Sequence, residues 1–156
     1  MKSAAFVAAA AVIITMGAYT IEKYRGLGYR MPITALVLAI SLLALAGVPP
    51  LNGFWGKYLI FGAAIDSGNH VWWGPYLAIA GVLNSALSLG YYIWIIRKMY
   101  VEEGENRIRQ KEPRPIVAVL LFALGFMIIF GIWYGPLLDL ASMAVPNDLT
   151  HLIATR

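Results

Sequence analysis

The chain has 156 residues, 60% hydrophobic and only 13% charged, with a mean hydropathy of +0.71, far above that of an ordinary water-soluble domain. It contains no cysteine, which excludes disulfides, thiolate metal sites and iron–sulfur clusters on this chain. The formal net charge of +4 does not signal nucleic acid, because the basic residues cluster in two loops between apolar blocks and set topology instead.

In chain order, the first apolar block is 3–20, SAAFVAAAAVIITMGAYT. Its length suits a membrane-crossing helix. Met1-Lys2 before an alanine-rich run also resembles a secretory signal, but Gly17-Ala18-Tyr19-Thr20 is a poor cleavage site, so it is read as a helix. The loop 21–31 follows, with Lys23, Arg25 and Arg30. The second block, 32–65, has 34 residues, or roughly 51 Å if fully helical. That is too long for one straight span and too short for two spans with a loop. A single span broken at 47–53 resolves the length. Pro49 and Pro50 lack N–H groups, so the carbonyls of Leu45 and Ala46 lose their helical donors. Gly47, Asn52 and Gly53 permit a loop there. Irregular backbone at membrane depth must be enclosed by protein or line a watered cavity.

The short loop 66–71 has neither lysine nor arginine. The third helix is expected over 72–97, with Trp72, Trp73 and Tyr76 at one end and Tyr91, Tyr92 and Trp94 near the other, an aromatic belt at both interfaces. The polar stretch 102–115, EEGENRIRQKEPRP, reads as a solvated connection. The fourth helix is expected over 116–140, with Trp133 and Tyr134 near its end. The whole is an all-α polytopic membrane protein of four transmembrane helices, the second discontinuous. It forms a single membrane domain over residues 1–145 and ends in a short surface tail, 146–156. Nine basic residues fall in the loops 21–31 and 97–115, against Lys2 and Arg156 on the other side. The positive-inside rule then places both termini away from the cytoplasm.

Lys57 is the only charge in 32–65. An ionisable group at membrane depth is costly and marks a functional site by default. Desolvation weakens the charged form of an amine, which suits a group that gives and takes a proton. A snorkelling anchor is the bland alternative, but the apolar run continues through 59–65. Asn84, Ser85, Ser88 and Tyr91 form a thin polar stripe on the third helix. It reads equally as the lining of a water path or as interhelical hydrogen bonding. Thr34 and Ser41 extend such a stripe toward the cytoplasmic side. His70 and His151 have no carboxylate at ligand spacing, so no metal site is expected. No phosphate loop, dinucleotide fingerprint, zincin motif or nucleophile elbow is present.

The run L-A-L-A-G-V-P-P-L-N-G-F-W-G-K-Y at 43–58 resembles the broken-helix motif of the antiporter-like membrane subunits of respiratory complex I. Tyr24-Arg25-Gly26-Leu27 and Tyr91-Tyr92 also resemble the N-subunit family of NADH-quinone oxidoreductases, related to Mrp-type antiporters. The resemblance implies a proton-translocating subunit of a redox-driven NADH- or F420H2-quinone oxidoreductase, a translocase with no redox centre of its own. It implies that Lys57 takes part in proton transfer, with Gly47, Pro49, Pro50 and Gly53 forming the break. Asn84, Ser88 and Tyr91 are added as water-path candidates from spacing alone. Flavin, iron–sulfur clusters and quinone are expected on other subunits, and no cofactor on this chain. The chain resembles only the last helices of such subunits, so its partners include other membrane subunits and a chain supplying the missing N-terminal helices, within the lipid bilayer of a prokaryotic inner membrane. The alternatives are a subunit of an Mrp-like or hydrogenase-linked cation/proton antiporter, and a non-catalytic structural fragment of such a complex.

Overall fold

In the computed structural model, which describes residues 1–69, 71–104, 108–136 and 139–140, every regular element is helical. His70, His151 and the tail 146–156 lie outside the described residues. Helix α1 spans Lys2–Met16 and stops earlier than its apolar run, because Gly17 turns left-handed at φ 61° and bonds its N–H to the Ile13 carbonyl. The connection after it is more structured than a plain loop. A 3-10 turn, Ile21–Tyr24, leads to a single helical turn α2, Leu27–Arg30. Leu27 and Met31 are fully buried, so this connection is held by its own apolar side chains.

Helix α3, Pro32–Ala46, ends at Gly47, whose φ of 90° strongly favours glycine. The Val48 carbonyl accepts the Leu51 N–H at 3.0 Å, closing a turn that contains the cis Pro49–Pro50 bond. Helix α4 then runs Asn52–Asp66. The break is therefore 47–51, shorter than the expected 47–53, because Phe54 N–H to Leu51 carbonyl (3.0 Å) already opens a helical turn. Gly53 is not a loop residue. A Cβ there would sit 1.8 Å from the Ala44 carbonyl oxygen, so this glycine lets the start of α4 press against the last turn of α3.

Helix α5, Gly74–Tyr100, has 27 residues, roughly 40 Å of rise. It runs antiparallel to α3 and α4 taken together. Its start lies beside Ala64 and Ser67, Gly81 faces the Phe61 ring, and its end reaches Gly28 through Tyr100. Helix α6, Arg114–Ile132, follows α3 in the same direction, from Thr34 past Ser41 and Met127 to the break. It ends eight residues before the expected 140, a difference read from the two boundaries. Pro136 has no N–H to offer the Ile132 carbonyl, so the helix cannot continue. Helix α1 lies antiparallel to α3: Ala4 clusters with Ala44 and Met127, while Val12 and Ala18 cluster with Leu27.

Among the described residues, two helices, α5 and α6, are long and apolar enough to cross a membrane, and α1 and α3 are apolar but shorter. The surface is inverted relative to a soluble protein. Small residues such as Ala8, Ala11 and Ala35 are buried, whereas Phe6, Trp72, Leu87 and Phe122 are each more than 70% exposed.

The two basic loops meet at one end of the bundle. Lys98, expected in the basic loop 97–115, belongs to the last turn of α5 and is only 4% exposed. It donates to the Glu22 carboxylate and lies 4.4 Å over the Trp94 ring. Arg25 bridges Glu22 at 2.8 Å and Glu102 at 3.0 Å. The hydrogen bond from Lys98 holds the Glu22 carboxyl below its ordinary value of 4.5, against the opposing effect of burial and with the charges of Lys98 and Arg25 adding to it. A depressed acid contributes stability above its unfolded value, and that contribution is lost as pH falls through the folded value. The clamp between Ile21–Tyr24 and α5 should therefore be intact at neutral pH, begin to weaken as pH falls past 4.5, and open once pH drops through the lower folded value. Proteolytic nicking of loop 21–31 against pH reads this, and Glu22→Gln should be nicked at neutral pH as the parent is in acid. A second expectation concerns the break. Gly53→Ala should lower stability by about 1–3 kcal/mol through overpacking. Gly56→Ala, where nothing lies within 4 Å, should raise it by up to about 1 kcal/mol. Thermal unfolding in detergent separates the two.

Candidate functional site at the helix break

The break leaves a defined set of carbonyls to be satisfied. Gly47 N–H serves Leu43 and Ala44, and Val48 N–H serves Leu43, each at 3.1 Å. Pro49 and Pro50 have no N–H for Leu45 and Ala46. The Lys57 ammonium fills one of these places: Nζ donates to the Ala46 carbonyl at 2.8 Å. Its stem crosses Gly47 so closely that a Cβ there would lie 2.9 Å from Lys57 Cδ. Gly47 is thus required twice, for its backbone angle and for the path of the lysine. The ammonium stands at the negative end of the α3 dipole, a favourable place for a cation.

Lys57 is half-buried and borders a groove of about 900 Å³ between α4 and α5, together with Gly47, Phe54, Phe61, Ser85 and Asp66. Asp66 closes α4 at the far end of that groove. The sequence reading left it in a loop, and only the groove relates it to Lys57. Of the polar stripe on α5, Ser85 reaches the groove. Asn84 and Tyr91 are exposed on the outer surface of α5. The Ser88 hydroxyl donates to the Asn84 carbonyl at 2.8 Å and the Ser85 hydroxyl to the Gly81 carbonyl at 2.9 Å. Thr34 and Ser41 are buried on α3, and the Ser41 hydroxyl points at the Met127 sulfur, 3.8 Å away.

The turn at the break is held from α6. A Cβ on Gly131 would lie 2.3 Å from the Pro50 carbonyl oxygen, so α6 touches the turn backbone to backbone. Trp55 Nε1 donates to the Gly131 carbonyl at 2.7 Å, and the Trp55 ring stacks on Tyr134 at 3.8 Å. The Asn52 side-chain oxygen is buried beside this turn with no donor among the described residues.

The opposite end of α3 carries the complementary charge. Glu112 accepts the Ile33 N–H at 3.1 Å, the Thr34 N–H at 2.9 Å and the Thr34 hydroxyl at 2.6 Å. A carboxylate there satisfies orphan N–H groups and faces the positive end of the helix dipole. Sequence reasoning placed Glu112 in a solvated connection and missed this role. No local signal betrays it, because the capping residue is 78 positions from Thr34. No group of three histidine, aspartate or glutamate side chains that can hold a metal occurs among the described residues.

Residues 1–88 match the family described as "NADH:quinone oxidoreductase/Mrp antiporter, TM". The chain is 37% identical over 154 residues to the F(420)H(2) dehydrogenase subunit N of Methanosarcina mazei, a match covering 92% of this chain and 30% of the relative. It is 38% identical over 141 residues to the NADH-quinone oxidoreductase subunit N of Geotalea uraniireducens, covering 90% and 29%. With the subunit of the same name from Geobacter metallireducens it shares 40% over 123 residues, covering 78% and 25%. The chain therefore spans less than a third of the length of these relatives.

The Glu112 cap yields a direct expectation. Glu112→Ala should lower stability by about 1–3 kcal/mol, the effect of stripping charged hydrogen bonds from a helix start. Glu112→Gln, which keeps a neutral acceptor, should lose about half as much. Thermal unfolding of the two variants beside the parent chain measures both.

Proposed function

This chain belongs to the NADH:quinone oxidoreductase/Mrp antiporter membrane family, and from that premise we propose that it is the C-terminal part of an N-type subunit that translocates protons in a redox-driven quinone oxidoreductase. The observation that carries this reading is Lys57 on a broken helix, its ammonium on a carbonyl that Pro50 leaves without a donor and its flank open to a groove. A lysine so placed has two states of use. Protonated, it neutralises the end of α3. Deprotonated, its amine can still donate to the Ala46 carbonyl but no longer opposes the helix dipole, so proton loss weakens its hold on the break. The electron carriers, flavin, iron–sulfur clusters and quinone belong to other subunits, which pass on the energy of electron transfer mechanically or electrostatically.

Four crossings of the bilayer fit the antiparallel course of α1, α3 with α4, α5 and α6. In that arrangement α3 and α4 together make one interrupted crossing, with the irregular turn packed under α6 as backbone at membrane depth requires. The loops 21–31 and 97–115 share one end of the bundle, joined through Lys98 and Glu22 and through Gln110 N–H to the Arg30 carbonyl at 2.9 Å. Their basic residues support a cytoplasmic placement of that end, with both termini on the other side. The apolar outer surfaces of α4 and α5, including Tyr58, Ile60 and Leu83, support burial against further helices of an N-type subunit. Lys57 is the proton-transfer group in this scheme. Ser85 and Asp66, which border the same groove, are better placed to act with it than Asn84, Ser88 and Tyr91.

Three substitutions at one position test the role in the assembled, reconstituted complex. Lys57→Met should cut proton translocation by roughly tenfold or more, the usual scale for loss of a proton-transfer group. Lys57→Arg keeps the charge and a donor for Ala46 yet cannot release a proton. It should assemble normally and still fail to pump. Lys57→Ala should behave like Met. Unchanged pumping by Lys57→Met in an intact complex would rule the transfer role out, leaving a purely structural capping role.

A further inference from the structure

A shallow groove of about 630 Å³ lies where the connection to α6 passes over the start of α3. Its lining includes the cations Arg109, Lys111 and Arg114 and the apolar side chains of Ile33, Val117 and Leu121. None of the three cations has a carboxylate partner within salt-bridge distance among the described residues. The carboxylate in the groove, Glu112, is already engaged by two backbone N–H groups and the Thr34 hydroxyl. Three positive side chains therefore stand over a surface whose negative charge is committed elsewhere.

The backbone beneath them is fixed. Gln110 N–H bonds to the Arg30 carbonyl at 2.9 Å, and Glu112 is pinned to the first turn of α3. Arg114 is the first residue of α6, and Leu121, two turns further on, is 48% exposed on the same apolar helix. A ligand that fits must place an anionic head among the cations and lay a hydrocarbon chain along α6. A free phosphate uses only the first half of this surface, and a neutral lipid only the second.

We propose that this groove is a binding site for one anionic phospholipid, its phosphate held by Arg109, Lys111 and Arg114 and an acyl chain lying along Val117 and Leu121. Basic pockets at the mouths of membrane helices bind acidic headgroups in this manner. The site requires only that this end of the bundle lies at a membrane surface, and it stands whether or not Lys57 transfers a proton. A bound lipid here would cover the seam that Glu112 makes between the connection and α3.

The test uses the full chain assembled with its membrane subunits in nanodiscs of phosphatidylcholine doped with photoactivatable phosphatidylglycerol. Crosslinks are mapped by mass spectrometry, with photoactivatable phosphatidylcholine as the neutral control. Crosslinks from phosphatidylglycerol should concentrate in peptides covering 109–121 and exceed those from the neutral probe. Each cation near an anionic headgroup contributes about fivefold, so Lys111→Gln with Arg114→Gln should weaken labelling roughly thirtyfold. Glu112 is untouched in that variant, and labelling elsewhere on the chain reports whether assembly survives. On the parent protein, unlabelled phosphatidylglycerol should compete and inorganic phosphate should not. Equal labelling by the neutral and anionic probes would overturn the proposal, as would displacement by inorganic phosphate as effective as that by the lipid.

Discussion

A helix carbonyl without a backbone donor, in an apolar segment, is the constraint on which the rest of this molecule depends. The Pro49–Pro50 pair removes two N–H groups in succession, and the carbonyls they would have served need other partners. The chain answers with Lys57, whose ammonium reaches back over Gly47 to the Ala46 carbonyl. The turn itself is then fixed from outside. Gly53 closes α4 onto α3, Gly131 closes α6 onto the turn, and Trp55 ties the two with its hydrogen bond and its stack on Tyr134. Each of these contacts is at a backbone surface, where an added methyl group is not accommodated.

Helix α3 consequently has opposite charges at its two ends. Glu112 sits against its first turn and Lys57 against its last. Both oppose the partial charges of the helix dipole, so each is electrostatically at home beside an otherwise apolar rod. The polar side chains between them, Thr34 and Ser41, are buried against α6 and the Glu112 carboxylate. A change of charge at Lys57 would be felt first at the break, where the ammonium serves a structural purpose: its hydrogen bond replaces one that the prolines removed.

The outer surface follows a different logic. Small residues face inward and large apolar ones outward, because close helix packing in a membrane favours small contacts and the surroundings solvate large apolar groups. On α4 and α5 the outward residues flank the groove that holds Lys57, leaving one side of it open. That fits a chain spanning less than a third of its relatives' length. At the basic end of the bundle the charges divide into two kinds. Lys98, Glu22, Arg25 and Glu102 neutralise one another and join two connections, while Arg109, Lys111 and Arg114 have no salt-bridge partner among the described residues.

The sequence by itself determined the helical class, the broken second segment and the singular position of Lys57. These follow from local physics: a run of apolar residues of membrane length, prolines without N–H groups, and one charge amid hydrocarbon. It also placed the helix starts within two residues of the observed ones, but ran α1 past Gly17 and α6 eight residues past Ile132, where a glycine and a proline act. Only the tertiary structure decided what each polar group touches. Glu112 looked like solvated loop and is the cap of α3, Lys98 looked like loop charge and is buried, and Gly53 looked like loop freedom and is a point of helix contact. Of the stripe on α5, the structure turned Ser85 toward the groove and left Asn84 and Tyr91 outside. The reason is common to all four cases. Spacing along one helix reveals which side chains share a face, but which neighbour that face meets depends on residues tens of positions away, and a hydrogen bond is made by proximity in space.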